Sequence, residues 1–162
     1  MSRGPQLMVL SREAVEAYAP VPGQKTVCIS IVDPTAPLAN LQMGYAACLR
    51  FKFHDLDPRD VPEGTMTDVG MVEFMNEDAA RTIVEFAVEH ADADVLVIHC
   101  EAGISRSRSV AEALFDAFGR RAPNQYVYRL ILDVFRAWRE RSGYDGTLWI
   151  DYRWSPARRG PR

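Results

Sequence analysis

The sequence predicts an α/β fold: a mainly parallel central sheet of about four to five strands, flanked by helices on both faces in a three-layer sandwich. Three observations carry this expectation. The stretches "TVCISIV" (Thr26 to Val32) and "DVLVIH" (Asp94 to His99) are almost continuously apolar, as strands buried on both faces are. Segments with helical spacing of apolar residues alternate with the strands. Finally, 162 residues at 48% hydrophobic content suffice for one well-buried core and are too few for two ordinary domains.

"QLMVL" (Gln6 to Leu10) reads as a short buried strand, and Ser11 as the N-cap of a helix over "REAVEAYA", with Glu13 and Glu16 near its positive end. Pro20, Pro22 and Gly23 break that helix. The strand Thr26 to Val32 ends in the loop "DPTAPLAN", and "CLRFKF" (Cys48 to Phe53) forms the next strand. It stops at "HDLDPRDVPEG", whose prolines, glycine and aspartates are turn chemistry. Asn76 caps a helix running to about His90, with Ala80, Ile83, Val84 and Ala87 on one face. After the strand Asp94 to His99, a helix from about Ser107 carries Val110, Leu114 and Phe118 on one stripe and stops at Gly119. Asn124 opens a last long helix with Val127, Leu130, Ile131, Val134 and Trp138 inward. Residues 1–152 then form a single domain, and residues 153–162, "RWSPARRGPR", a basic, Pro/Gly-rich tail expected to be mobile.

Charge and cysteine usage exclude several function classes. Nineteen basic against 22 acidic side chains give a net charge of -3, so there is no basic footprint for nucleic acid. No apolar segment is long enough to span a bilayer, and "QLMVL" is too short for a signal-peptide core. Three cysteines, Cys28, Cys48 and Cys100, make no disulfide framework, and neither they nor the histidines have zinc-site spacing. The expectation is a cytoplasmic protein without metal or cofactor and without a membrane or nucleic-acid partner. The sequence leaves its oligomeric state open.

The chemistry concentrates in "HCEAGISRS". Cys100 begins a loop at a strand end, five residues intervene, and Arg106 closes it before a helix. Successive backbone N–H groups of so short a loop (Glu101, Ala102, Gly103, Ile104, Ser105 and Arg106) can point into one concavity that binds an anion. The helix N-terminus adds partial positive charge, and Gly103 allows a tight turn or a close approach. Arg106 supplies a planar fork that matches two phosphate oxygens. The same features favour Cys100 as a thiolate nucleophile beside a bound phosphate ester. As a buried small hydrophobe, Cys100 alone would need none of them.

This loop resembles the signature of the cysteine-dependent protein tyrosine phosphatase superfamily: His-Cys, five residues, Arg, Ser/Thr. "AGISRS" and the chain length are similar to its compact dual-specificity-like members. The likeness is strongest from Val95 to Leu114 and weaker over the strand–helix order from Thr26 to Arg141. It implies a phosphatase-like sandwich and hydrolysis through a phosphocysteine. Cys100 attacks phosphorus, Arg106 and the loop amides hold the equatorial oxygens, Ser107 hydrogen-bonds the sulfur, and His99 orients the cysteine, unless it is a satisfied core histidine.

A leaving oxygen needs a proton, and the general acid must come from elsewhere in the chain. In the family it is an aspartate just past a strand, in an aromatic-x-Asp context, which Phe53, His54 and Asp55 reproduce. Asp55 lies 45 residues before Cys100, wider than the family interval. Asp68, 32 residues before Cys100, fits the interval without the context. Asp57 ranks beside Asp68 as an alternative, and Asp60 stays open.

Glu101 in the loop argues against polyphosphorylated lipids, unless it points to solvent or pairs with Arg108. Cys28 is a candidate partner for a protective disulfide with Cys100, although a buried packing role is the stronger reading. Asn124 can border the site, and capping alone also explains it. Trp138 and Trp149 read as packing residues. The resemblance thus implies a protein phosphotyrosine or dual-specificity phosphatase acting on phosphorylated proteins. The alternatives are a phosphatase of a small phosphoester or an RNA 5′ end, and a catalytically silent phosphate-binding module.

Overall fold

The structure, a computed structural model, describes residues 4–62, 64, 66–67, 70–118, 121–143, 150 and 152–153. Its elements in chain order are β1 (Gln6–Leu10), α1 (Arg12–Ala17), β2 (Thr26–Val32), β3 (Ala47–Lys52), a 3-10 turn (Pro58–Asp60), β4 (Met66–Thr67), β5 (Gly70–Met71), α2 (Glu77–Glu89), β6 (Val95–His99), α3 (Arg106–Phe115) and α4 (Gln125–Ser142). Four strands form one all-parallel sheet in the order β1-β6-β2-β3. β4 and β5 make a separate antiparallel pair that the turn-rich sequence did not announce.

The α/β sandwich arises from strand alternation. In β2, Val27, Ile29 and Ile31 face one side, where they meet Ile83 of α2, Val110 and Leu114 of α3, and Ile131 and Phe135 of α4. Cys28 and Val32 face the other side and pack with Val95 and Val97 of β6 and Val15 of α1. All seven residues of β2 and all five of β6 are buried, so these two strands are central. β3 alternates half-buried and exposed positions because it lies at the sheet edge.

Local chemistry sets most boundaries. Ser11, Asn76 and Asn124 cap α1, α2 and α4 by accepting the N–H groups of Ala14, Ala79 and Val127. α3 departs from expectation: it ends at Phe115, with Asp116 in the left-handed conformation at φ 50°. A short aspartate tolerates that conformation and so ends the helix without glycine. Gly119, the expected stop, lies outside the described residues, as do Trp149 and residues 154–162. Arg153, assigned to the tail, belongs to the fold. Its N–H donates to the Pro5 carbonyl at 2.9 Å and its Nε to the Gly4 carbonyl at 3.0 Å.

β1 is followed in sequence by β2, yet β6 lies between them in the sheet. The carboxyl ends of β6 and β2 therefore adjoin where the connections diverge, the place at which open parallel sheets bind ligands. Cys100 follows β6 there, and Asp33 follows β2. Among the described residues, no helix is long and apolar enough to cross a membrane.

The central position of β2 makes a direct test. Ile29→Ala should lower the unfolding free energy by about 2–5 kcal/mol in urea titration. Leu38→Ala, at an exposed loop position, should change it by less than about 0.5 kcal/mol. Equal effects would contradict this assignment of the core.

Candidate active site

β6 delivers Cys100 to the mouth of the 100–106 loop, where the residue is 2% exposed. Its Sγ lies 3.1 Å from the Ser107 Oγ and accepts the Gly103 N–H at 3.3 Å. Ser105, at the N-cap of α3, makes no side-chain cap, so the first N–H groups of that helix gain no partner from it. The loop is held from outside by the β1–α1 junction. The Arg12 N–H donates to the Glu101 carbonyl at 3.0 Å. Gly103, at φ +72°, lies so close to that junction that a Cβ would sit 2.6 Å from the Ser11 nitrogen and 2.8 Å from the Leu10 oxygen. Both the left-handed backbone and the close approach demand glycine here.

Arg106 is 4% exposed, and a buried guanidinium must be paired. Its Nη1 donates to the Phe53 carbonyl at 2.7 Å and lies 2.7 Å from the Asp33 Oδ1. Its Nε is buried and has no hydrogen-bond partner among the described residues. An unsatisfied buried donor costs about 1–3 kcal/mol, more when charged, and an acceptor placed against it would offset that cost. The arginine is thus anchored by one nitrogen and keeps another donor in reserve.

His99 is fully buried. Its Nε2 lies 2.6 Å from the Ser30 Oγ, and its Nδ1 lies 3.2 Å from the Cys100 carbonyl. A carbonyl only accepts, so Nδ1 carries the proton and Nε2 accepts from the serine hydroxyl. Burial pushes the imidazole below its ordinary value, against the opposing hydrogen bond to Cys100. The ring is therefore neutral and fixes the backbone at Cys100, combining orientation with a satisfied core position.

The candidate acids separate clearly. Asp55 is brought to the loop: its Oδ1 accepts from the Ser105 hydroxyl at 2.7 Å and from the Asn124 Nδ2 at 2.9 Å. Both of these bonds use Oδ1 and neither uses Oδ2. Asp57 instead caps the 3-10 turn and pairs with Arg59, whose hydrogen bonds hold its carboxyl below the usual range, a poor setting for a proton donor. Asp60 is exposed on the outer wall of the cavity beside Asp55. Asp68 lies outside the described residues.

Of the remaining loop residues, Ala102 and Ile104 are exposed, Ile104 by 61%. Glu101 pairs with Arg12 at 3.2 Å, whereas Arg108 stacks on the Phe118 ring at 4.5 Å. With its charge balanced by Arg12, Glu101 is no simple repulsive rim. Cys28 is set apart from Cys100 by register. It pairs with Val97, three residues before Cys100, and faces the opposite side of the sheet. Three residues of strand span about 10 Å, beyond the reach of a disulfide. Burial pushes the Cys28 thiol well up, and all three cysteines are free.

Three contributors were missed in the sequence: Asp33, Ser30 and Arg12. Each acts across the sheet, through the strand order rather than through any local motif. Asn124 does more than cap: it also clamps Asp55, and its own N–H donates to the Ser109 Oγ at 2.9 Å. Beside Asp55 and Ser105 opens a polar cavity of about 550 Å³, bounded by Arg121 and Asn124. Among the described residues, no three His, Cys, Asp or Glu side chains gather as a metal site. The arrangement can hold a tetrahedral anion over a sulfur nucleophile, with a carboxyl group alongside. Comparison of the chain with protein-family models, curated proteins and solved structures returned no match.

Two measurements check this geometry. Gly103→Ala should abolish oxyanion binding at the loop, measured with vanadate by calorimetry, because the loop must move off the β1–α1 junction. An NMR titration should find His99 with a midpoint below 6.5, its ordinary value. Because the folded-state value is depressed, its stabilising contribution is complete above that pH and is lost as pH falls through the lower value. A His99 midpoint above 6.5 would contradict the buried neutral ring.

Proposed function

We propose that this chain is a metal-independent phosphomonoesterase of the cysteine-dependent tyrosine phosphatase type, acting on phosphotyrosine and phosphoserine/threonine in proteins. The observation that carries this reading is the buried, unpartnered Nε of Arg106 at the end of a loop whose Cys100 sulfur already receives a backbone N–H. A site with this donor set is complementary to a phosphoryl group. We place the protein in the cytoplasm, where the reducing medium keeps Cys100 a thiol.

The Cys100 thiolate attacks phosphorus, and Asp55 gives its proton to the departing oxygen. Arg106 and the loop N–H groups hold the three equatorial oxygens as charge redistributes. Water then attacks the phosphocysteine while Asp55, now a carboxylate, takes its proton. The Ser107 hydroxyl, 3.1 Å from the sulfur, stabilises the thiolate as it leaves. The cavity beside Asp55 gives the leaving group its space.

Steady-state hydrolysis of p-nitrophenyl phosphate with chelator present tests the proposal. Wild type should turn over, and Cys100→Ser should not. Asp55→Asn should lower kcat for phenyl phosphate by about 10²-fold or more. It should cost less for p-nitrophenyl phosphate, whose leaving oxygen is stable without a proton. The same leaving-group pattern in Asp57→Asn or Asp68→Asn, and not in Asp55→Asn, would move the acid. A folded wild type that hydrolyses neither compound overturns the proposal.

A further inference from the structure

We infer that the substrate is a phosphorylated polypeptide that places a large apolar side chain, about three to six residues from the phosphoresidue, in a slot between the 58–60 turn and α4. The inference rests on the phosphatase reading and specifies its substrate class.

Two cavities lie end to end. The polar one begins at Asp55 and Ser105 and passes Asn124 and Gln125. A second, of about 340 Å³, is walled by Pro58, Tyr126 and Leu130, with Arg129 and Asp133 at its rim. Asp57 and Arg59 line both, so their ion pair forms the ridge at which the cavities meet. The apolar slot thus adjoins the space assigned to the leaving group across that ion pair.

The slot is preformed. The Tyr126 hydroxyl donates to the Met75 carbonyl at 2.6 Å, and its ring packs edge-on against Phe74 with centroids 6.1 Å apart. These contacts hold the wall without a ligand, so an entering side chain meets a surface that needs no reordering. Its volume admits leucine, methionine or phenylalanine.

The path between the two ends selects the class of substrate. Asn124 touches Asp55 at the loop, and Leu130 lies six residues further along α4, about 9 Å of helix rise. An extended chain advancing about 3.3 Å per residue covers that rise in about three residues, and the reach from the loop to Asn124 adds to it. A small phosphoester ends within the first cavity and leaves the slot unused. A lipid would carry apolar chain through a channel lined by Asp55, Asn124, Gln125 and Arg121, where hydrocarbon gains nothing. A peptide backbone suits a polar channel, and one apolar side chain suits the slot.

Phosphotyrosine peptides of glycine, serine and alanine, each carrying one leucine three to six positions to either side, test this. One position should raise kcat/KM about tenfold over the leucine-free peptide, equivalent to about 1.4 kcal/mol, which partial burial of leucine supplies. Leu130→Asn removes the apolar floor and Leu130→Trp fills the slot. Each should bring the ratio towards one while leaving p-nitrophenyl phosphate turnover within about twofold, which also reports a folded site. No preferred leucine position, a preference unchanged in both variants, or free phosphotyrosine hydrolysed as well as the best peptide overturns the inference alone. Wild type inactive on p-nitrophenyl phosphate and every peptide overturns the phosphatase reading, and this inference with it.

Discussion

A guanidinium buried almost completely is the constraint around which this molecule is arranged. Arg106 opens α3 with 4% of its surface exposed, and its charge is matched by the Asp33 carboxylate and the Phe53 carbonyl. Asp33 follows β2 and Phe53 follows β3, so one nitrogen of one side chain ties the ends of two neighbouring strands to the start of a helix. Burying a charge is costly unless it is paired, and here the pairing is also the scaffold. The side chain is held by Nη1, which leaves its buried Nε directed by the fold rather than by a protein partner.

The strand order brings the other walls to the same place. Because β6 is inserted between β1 and β2, the loop after it is bordered by the β1–α1 junction on one side and by β2 on the other. Arg12 binds Glu101 from the first side, and Ser30 fixes His99 from the second. The segment after β3 and the first residue of the α4 cap close the remaining side through Asp55 and Asn124. Strands, helices and caps that are ordinary one by one converge on a single cysteine.

What the sequence disclosed was local, and what it hid was relational. The seven apolar residues of β2 and the five of β6 announced buried parallel strands because burial on both faces leaves no polar alternation. Cys100, Gly103 and Arg106 stood out because they lie at close, fixed spacing within one short loop. Asp33 was not, since its partner lies 73 positions away and is reached only through the strand order, although its place at a strand end beside Pro34 was visible. Asp55 stood out by its aromatic context against its long interval, and the structure sets it beside Ser105 although the two are 50 positions apart. The Cys28 disulfide failed on register, a quantity that composition does not carry. The end of α3 was misplaced because an aspartate took the left-handed position where glycine was expected.

Gly103 has a consequence beyond its own conformation. With the Leu10–Ser11 backbone packed against it, the loop cannot relax towards the β1–α1 junction. On the phosphatase reading, an oxyanion then enters a cradle already shaped on that side and orders little there on arrival. Such a cradle cannot distinguish an esterified phosphate from a free one by its own motion, because it makes the same contacts with either. On the phosphatase reading, inorganic phosphate is a competitor built into the design. Discrimination in favour of substrate then comes from whatever the rest of the substrate touches outside the loop, and the rigidity that prepares the loop for chemistry leaves selectivity to its surroundings.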